Sequence, residues 1–292
     1  MTPTLVREHL SHAGSAPPGA DPRARARDWA EIQERMWEPL YESVHERLDV
    51  GPATRLLGLR CGSGLALLLA AVRGAAVTGA DSCPERLALA RDRLSPDPEH
   101  GTGTAGTTGT GASATGIRLL DALPTKADAP GYDLITVFDP IGCGPGDTDA
   151  LGALLADALP LAARGAAVVL TAWGPPERCA TSAVLGVATK LADPLHGVRG
   201  PHAGRRDDLE EVAQRAGLRP DGSGRVACPF GYADADSAVR GLLSTGLFDA
   251  AIAATDRKQV EKELAEALHP YQRADGIVWM PNVFRYLIAR VP

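Results

Sequence analysis

Short apolar runs alternate with helical segments between residues 54 and 173, and this alternation constrains the fold more than any other feature of the sequence. Such runs are typical of strands that are buried on both faces of a sheet. Strands that alternate with helices predict a parallel, doubly wound sheet, which binds ligands at the carboxyl ends of its strands. We predict strands at 54–60, 75–81, 116–120, 132–138 and 166–173.

Segments on both sides of this core predict the rest of an α/β fold. Two more strands at 224–232 and 282–291, with helices between them, predict an antiparallel edge and a helical cap. Before the core, Ile32 and Met36 belong to an apolar stripe at helical spacing and Glu34 lies off it, which predicts a helical lid. Because proline starts or kinks helices, two lid helices should meet near Glu38, next to Pro39. The predicted organisation is a flexible leader at 1–25, a lid at 26–50, a cofactor-binding core at 51–175 with a disordered loop near 95–116, and the remaining core with its substrate cap at 176–292.

The stretch LLGLRCGSGLALLL at 56–69 has the pattern of a ligand-binding strand, turn and helix. Gly62, Ser63 and Gly64 form a turn whose backbone can approach a ligand closely, and the next helix points its positive N-terminal end there. Nineteen residues after Gly62, Asp81 ends the second predicted strand, where it can accept hydrogen bonds from ribose hydroxyls. Together these features indicate a ligand that contains adenosine.

Two further features narrow the choice of adenosine ligand. Leu67 stands where the dinucleotide motif G-x-G-x-x-G has its third glycine, so the close packing beneath a pyrophosphate is lost. The turn also lacks the lysine of a G-x-x-x-x-G-K-[ST] phosphate loop. S-adenosylmethionine fits better, because it has a ribose and an adenine but no phosphate.

At these residues the chain resembles the class I S-adenosylmethionine-dependent methyltransferases, in their small-molecule, bacterial natural-product branch. LLGLRCGSG resembles the first motif of that family, VTGADSCPERLALAR the second, and LLDALPTKADAPGYDLITVF the segment that reaches adenine. The resemblance implies a Rossmann-like seven-stranded sheet, mostly parallel with an antiparallel last strand. It also implies that Asp81 binds the ribose, that Asp121 and Ala122 contact adenine, and that Phe138 lies near the methionine moiety or the substrate. The residues implied to contact the cofactor are Arg60, Cys61, Gly62, Gly64, Asp81, Ser82, Asp121, Ala122 and Phe138.

The first motif departs from the family pattern at two positions. Gly58 replaces the acidic residue, and Arg60 replaces the first glycine. Loss of the acid removes a partner for the ammonium group of the cofactor, a hydrogen bond worth roughly 1.5 to 3 kcal/mol. Three arrangements of Arg60 stay open: it binds the cofactor carboxylate, it blocks the pocket, or it extends its charged end into solvent.

The resemblance implies methyl transfer from S-adenosylmethionine to a small-molecule acceptor, with S-adenosylhomocysteine as the product. The expected acceptor is a secondary metabolite such as an indole or a cyclic dipeptide, and methylation at carbon, nitrogen or oxygen stays open. The alternatives are a cyclase or isomerase that keeps the fold, and a metabolite-binding module. The candidate general bases are Tyr41, His45, His202, His269 and Tyr271, and the candidate walls of an aromatic substrate pocket are Trp37, Phe138, Trp173 and Trp279. For each of these residues, ordinary packing is the competing interpretation.

Charge and cysteine content argue against several other classes of protein. The net charge of -6 comes without a basic block interleaved with aromatic residues, so we expect no nucleic-acid partner. Without an apolar run of roughly 20 residues or a signal peptide, we expect a cytoplasmic protein and no membrane partner. Five scattered cysteines without a C-x-x-C pair predict neither a disulfide framework nor a metal site. The apolar segment NVFRYLIARV leaves homodimerisation open.

Overall fold

A seven-stranded sheet forms the centre of the computed structural model, which describes residues 21–95, 116–127, 131–142, 146–192 and 207–292. The strands are β1 (Arg55–Leu59), β2 (Ala76–Ala80), β3 (Ile117–Leu120), β4 (Tyr132–Ile141), β5 (Ala162–Trp173), β6 (Arg219–Ala227), β7 (Phe230–Tyr232), β8 (Val278–Met280) and β9 (Val283–Arg290). Their order in the sheet is β3-β2-β1-β4-β5-β9-β6. Strands β1 to β5 are parallel and β9 is antiparallel to both of its neighbours, which confirms the predicted fold class.

Helices cover both faces of this sheet. Adjacent residues of a strand point to opposite faces, so Leu56 packs in one core with the lid and the cap, and Leu57 in another with α5 and α7. None of the helices in the described ranges combines the length and the apolar character needed to cross a bilayer. The helices are α1 (Pro22–Asp28), α2 (Glu38–Arg47), α3 (Leu65–Val72), α4 (Pro84–Leu94), α5 (Asp147–Ala158), α6 (Thr181–Ala192), α7 (Asp208–Arg215), α8 (Ala235–Ser244), α9 (Asp249–Ala254) and α10 (Arg257–Leu268).

Prolines explain two differences between predicted and observed boundaries. Residues 149–165 have apolar side chains at helical spacing, which predicts a helix over the whole segment. Helix α5 ends at Ala158 and a short 3-10 turn follows, because Pro160 cannot continue an α-helix. The predicted strand 224–232 is two strands, β6 and β7, because Pro229 lies between them and has no N–H for the ladder. Strand β7 pairs instead with β8, which is too short for its periodicity to be recognised.

A π-helical turn at Trp29–Gln33 changes which face of the lid is buried. The N–H of Glu34 donates to the carbonyl of Trp29, and this wider turn shifts the helical register by one residue. Glu34 and Trp37 are therefore buried, whereas Ile32 and Met36 of the predicted stripe are only partly buried. The prediction that Glu34 lies off the buried face is wrong.

The limits of the lid differ from the prediction at one end. Helix α1 begins at Pro22, so residues 22–25 of the predicted flexible leader are helical. Helix α2 begins at Glu38, which confirms that a new helix starts there. Apart from its two end residues, the predicted loop near 95–116 lies outside the described residues.

Candidate active site

A cavity of about 200 Å³ lies at the carboxyl ends of β1, β2 and β4, next to the lid. This is the edge of the sheet at which doubly wound folds bind their ligands. The lid supplies Trp29, Glu34, Trp37 and Tyr41 to the wall. The predicted cofactor residues in the wall are Arg60, Cys61, Gly62, Asp81, Ser82 and Phe138.

Asp81 holds the glycine turn after β1 with its side chain. One carboxylate oxygen accepts a hydrogen bond from the N–H of Gly62 at 2.8 Å, and the other accepts one from the N–H of Cys83 at 2.8 Å. Gly62 has a φ of +59°, a left-handed conformation that glycine adopts without strain. Each carboxylate oxygen can accept a second hydrogen bond, and Asp81 pairs with no cation among the described residues. Asp81 therefore faces the cavity with acceptor capacity to spare.

Arg60 pairs with Asp139 across the ends of β1 and β4. The guanidinium Nη1 lies 2.8 Å from Asp139 Oδ2, and both side chains are nearly half exposed. Arg60 itself adopts a φ of +50°, which is uncommon for a residue other than glycine. The arginine thus lines the cavity as half of an ion pair, with a partner that the sequence did not indicate.

Leu67 occupies the space that an acidic side chain at position 58 would need. A Cβ atom on Gly58 would lie 2.8 Å from Leu67 Cδ2, and a Cβ on Gly79 in β2 would lie 2.5 Å from Leu67 Cδ1. Real Cβ atoms essentially never make non-bonded contacts this short, so the end of the Leu67 side chain would have to shift. The absence of an acid at position 58 and of a glycine at position 67 therefore go together, because Leu67 fills the space beside Gly58.

Glu34 brings a carboxylate from the lid to the glycine turn. Its Oε1 accepts a hydrogen bond from the N–H of Ser63 at 3.1 Å, and its Oε2 accepts from the Ser63 hydroxyl. Arg93 of α4 lies behind this contact, with its Nη1 2.6 Å from Glu34 Oε2 and 2.9 Å from the Ser63 carbonyl. A buried acid that the sequence pattern placed on the surface is thus the main polar link between the lid and the turn.

Burial keeps two other titratable groups of the cavity wall protonated. Desolvation, reinforced by the nearby carboxylates of Glu34 and Asp139, raises the pKa of Tyr41 well above its ordinary value. Desolvation and the charge of Asp81 raise the pKa of the Cys61 thiol to about 12. The Tyr41 hydroxyl is therefore a hydrogen-bond donor rather than a base, and the Cys61 thiol is not a nucleophile.

Comparison with known proteins identifies the architecture around this cavity. No protein-family model and no curated protein matches the chain. Among solved structures, a Bacillus halodurans C-125 protein assigned as a methyltransferase matches with a TM-score of 0.51 at 12% identity, over 86% of this chain and 98% of that one. The YcgJ protein of Bacillus subtilis matches with a TM-score of 0.50 at 14% identity, over 86% of this chain and 97% of that one. The chain has the methyltransferase fold. At these identities the likeness shows the fold alone.

Within the methyltransferase fold of this chain, His45 lies outside the cavity. The residue is fully buried, its ring meets Phe138 edge-on at 5.9 Å, and neither ring nitrogen has a partner among the described residues. Burial lowers the pKa of His45 to about 4, so the ring is neutral near neutral pH. His45 is a packing residue rather than the general base that the sequence suggested.

Several other predicted residues also lie away from the cavity. Asp121 and Ala122 are exposed after β3 and do not line it. Gly64 lets α3 approach α4, since a Cβ there would lie 3.0 Å from the Cβ of Ala90. His269 is exposed, and His202 lies outside the described residues.

The predicted aromatic pocket is divided between different environments in this fold. Trp37 and Phe138 line the cavity, but Trp173 packs on Phe284 with ring centroids 4.6 Å apart and does not line it. Tyr271 and Trp279 line a second cavity of about 690 Å³, near the start of β9. The second cavity shares no lining residue with the first.

Residues that the sequence did not single out complete the wall. Asp139 follows Phe138 at the end of β4, and a search for acids at strand ends would have found it. Arg86 stacks over the Trp29 ring, 4.1 Å from its centroid, and donates to the carbonyl of Ser244 in the cap. No signal in the sequence marked Glu34, because its burial depends on the π-helical turn.

Proposed function

We propose that this protein transfers a methyl group from S-adenosylmethionine to a small-molecule acceptor. The observation that carries the proposal is the position of Asp81, a carboxylate at the tip of β2 that has no cationic partner among the described residues and also braces the glycine turn. A carboxylate in this position can accept hydrogen bonds from the hydroxyls of a ribose. The fold supports the same proposal.

The chemistry of the cavity wall fits a positively charged nucleoside. Trp29, Trp37, Tyr41 and Phe138 present aromatic rings, which attract cations, and Asp81 adds a negative charge. When bound, S-adenosylmethionine supplies a methyl group on a cationic sulfur, and this sulfur becomes the neutral thioether of S-adenosylhomocysteine once the methyl group has been transferred. The protein has to hold acceptor and donor in line and exclude water, which requires no covalent participation of its side chains.

The cavity is smaller than most pockets that hold a small molecule. Pockets for small molecules commonly measure roughly 300 to 1,000 Å³, and this cavity measures about 200 Å³. The indole rings of Trp29 and Trp37 lie in the wall with centroids 5.1 Å apart. We infer that a small shift of the lid widens the cavity for the nucleoside.

The acceptor would lie against Trp37, Tyr41 and Phe138 at the end of β4. These rings suit an electron-rich aromatic compound, so an indole-type secondary metabolite remains the predicted acceptor. The wall contains no imidazole among the described residues, and its proton acceptors are the carboxylates of Glu34, Asp81 and Asp139. Of these, Asp139 is the most exposed, and it would take up a proton if the acceptor releases one.

Titration calorimetry with S-adenosylmethionine and with S-adenosylhomocysteine tests the proposal. Asp81→Asn should weaken binding of both by roughly 10- to 100-fold, the value of a hydrogen bond to a charged group. Asp149→Asn is the matched control, because that carboxylate is 79% exposed on α5. The absence of binding by the wild-type protein at millimolar ligand would refute the proposal.

A second measurement separates methyl transfer from the alternatives. Protein incubated with S-adenosylmethionine and a library of aromatic metabolites should produce S-adenosylhomocysteine together with a product heavier by one methyl group. Tight binding with no turnover of any acceptor would instead favour a cofactor-binding cyclase, an isomerase or a metabolite-binding module.

A further inference from the structure

Two indole N–H groups in the cavity wall have no hydrogen-bond partner within the described ranges. Trp29 is 6% exposed and Trp37 is 5% exposed, and the Nε1 atom of each is buried without an acceptor among the described residues. Both residues line the cavity. Buried donors are nearly always satisfied in folded proteins, because an unmade hydrogen bond is costly. The two indoles therefore point to a ligand that carries acceptor atoms on the lid side of the cavity.

Trp29 places its donor directly at the glycine turn. A Cβ atom on Gly62 would lie 3.0 Å from Trp29 Nε1 and 2.9 Å from Glu34 Oε1. The rings of Trp29 and Trp37 meet edge-on, with centroids 5.1 Å apart, so the second indole lies next to the first. The Trp29 donor and the anionic acceptor Glu34 thus meet beside Gly62, and the Trp37 indole lies next to Trp29.

Glu34 provides a carboxylate at the glycine turn after β1, a strand that carries no acidic residue. Leu67 fills the space beside Gly58, so β1 cannot carry an acid there without repacking. Glu34 reaches the same turn from the lid and is fixed by Ser63 and Arg93. Its Oε1 accepts only the Ser63 N–H among the described residues and so can accept another hydrogen bond.

We propose that the lid recognises the amino-acid end of the nucleoside. Glu34 accepts a hydrogen bond from the α-ammonium group, and the indole N–H groups of Trp29 and Trp37 donate to the α-carboxylate. A zwitterionic amino acid carries an ammonium and a carboxylate group on one carbon, which matches the Trp29 donor and the Glu34 acceptor that meet at one glycine. This assignment rests on the proposed function, and it moves recognition of the amino acid from the sheet to the lid.

Calorimetry with three ligands tests the assignment without relying on turnover. S-adenosylhomocysteine has the complete amino acid, decarboxylated S-adenosylmethionine lacks the carboxylate, and 5′-methylthioadenosine lacks the whole amino-acid end. Wild-type protein should bind S-adenosylhomocysteine at least tenfold more tightly than 5′-methylthioadenosine. Equal affinities would overturn the assignment, whatever the behaviour of any variant.

Single substitutions then locate the contacts. Trp29→Phe and Trp37→Phe keep an aromatic ring and remove the donor. Ring contacts with the nucleoside are common to all three ligands, so each variant should lower the affinity for S-adenosylhomocysteine about tenfold relative to the affinities for 5′-methylthioadenosine and the decarboxylated ligand. Glu34→Gln should instead lower the affinity for the decarboxylated ligand relative to that for 5′-methylthioadenosine. Trp173→Phe is the matched control, because that indole lies outside the cavity. Thermal melts establish that each variant is folded.

Two results would contradict the proposals in different ways. If both tryptophan variants bind S-adenosylhomocysteine as the wild type does, the lid contacts are refuted and the proposed function stands. If wild-type protein binds none of the three ligands, the proposed function itself fails, and the lid assignment fails with it.

Discussion

Replacement of His45 by leucine should remove a pH dependence of stability that the buried imidazole creates. Burial lowers the pKa of His45 from 6.5 to about 4 in the folded protein. Between these two values the unfolded chain binds a proton that the folded protein does not. The free energy of unfolding therefore falls as the pH falls from about 6.5 toward 4.

The expected loss follows from this pKa interval. At about 1.4 kcal/mol per pH unit, the whole interval corresponds to roughly 3 kcal/mol. At about pH 5, roughly 2 kcal/mol of this should already be lost relative to about pH 7.5. The His45→Leu variant should not show this loss. Near pH 7.5 it should be at least as stable as the wild type, because it removes two buried nitrogens that have no partner in the described part of the chain.

Urea unfolding at several values between about pH 5 and 7.5, followed by circular dichroism, measures this difference. Wild-type protein should lose about 2 kcal/mol more than His45→Leu over this range. His269→Gln is the control, since it removes an exposed imidazole and should leave the pH dependence as in the wild type. Equal losses in the wild type and the leucine variant would refute the reasoning, and so would a catalytic defect of His45→Leu without a change in stability.

Three further predictions concern packing around the cavity and in the helices. Gly58→Ala should destabilise the protein by roughly 1 to 3 kcal/mol, because its Cβ would lie 2.8 Å from Leu67 Cδ2. In a double-mutant cycle measured by urea unfolding, Leu67→Ala should relieve part of this cost. Additive effects of the two substitutions would contradict the overlap. Arg60→Gly should change the free energy of unfolding by no more than about 1 kcal/mol, because a half-exposed ion pair contributes little and glycine relieves the positive φ; a larger loss would show that the pair with Asp139 is essential to the turn. Gly186→Ala should stabilise α6 by roughly 0.5 to 1 kcal/mol, because nothing lies within 4 Å of the new Cβ, and a lower melting temperature would show that the helix packs more tightly than described.

The sequence predicted the features that depend on local periodicity and on the ends of strands. Apolar runs indicated the parallel strands and placed Asp81 at the end of the second one. The hydrogen bond that its carboxylate accepts from the Gly62 N–H was not predicted. Periodicity assumes a constant number of residues per turn, so the π-helical turn at Trp29–Gln33 could not be anticipated, and the burial of Glu34 was missed with it.

Contacts between side chains from distant elements could not be predicted from single motifs either. The ion pair of Arg60 with Asp139 depends on β1 and β4 being neighbours in the sheet. The contact of Leu67 with Gly58 and Gly79 depends on how α3 lies over β1 and β2. The sequence showed that the first motif was altered at these positions, but the compensation became visible only in three dimensions.

The lid is also a wall of the main core, and this limits how the protein can admit a ligand. Leu40 and Val44 of α2 are fully buried in the same apolar cluster as Val184 of α6 and Leu264 of α10. Helix α2 therefore cannot swing away without exposing that cluster to water, whereas the irregular turns at 29–37 can rearrange at lower cost. A ligand should therefore enter through rearrangement of the turns at 29–37 while α2 stays in place. Proteolytic removal of the segment through residue 47 should cause aggregation rather than produce an open, active enzyme.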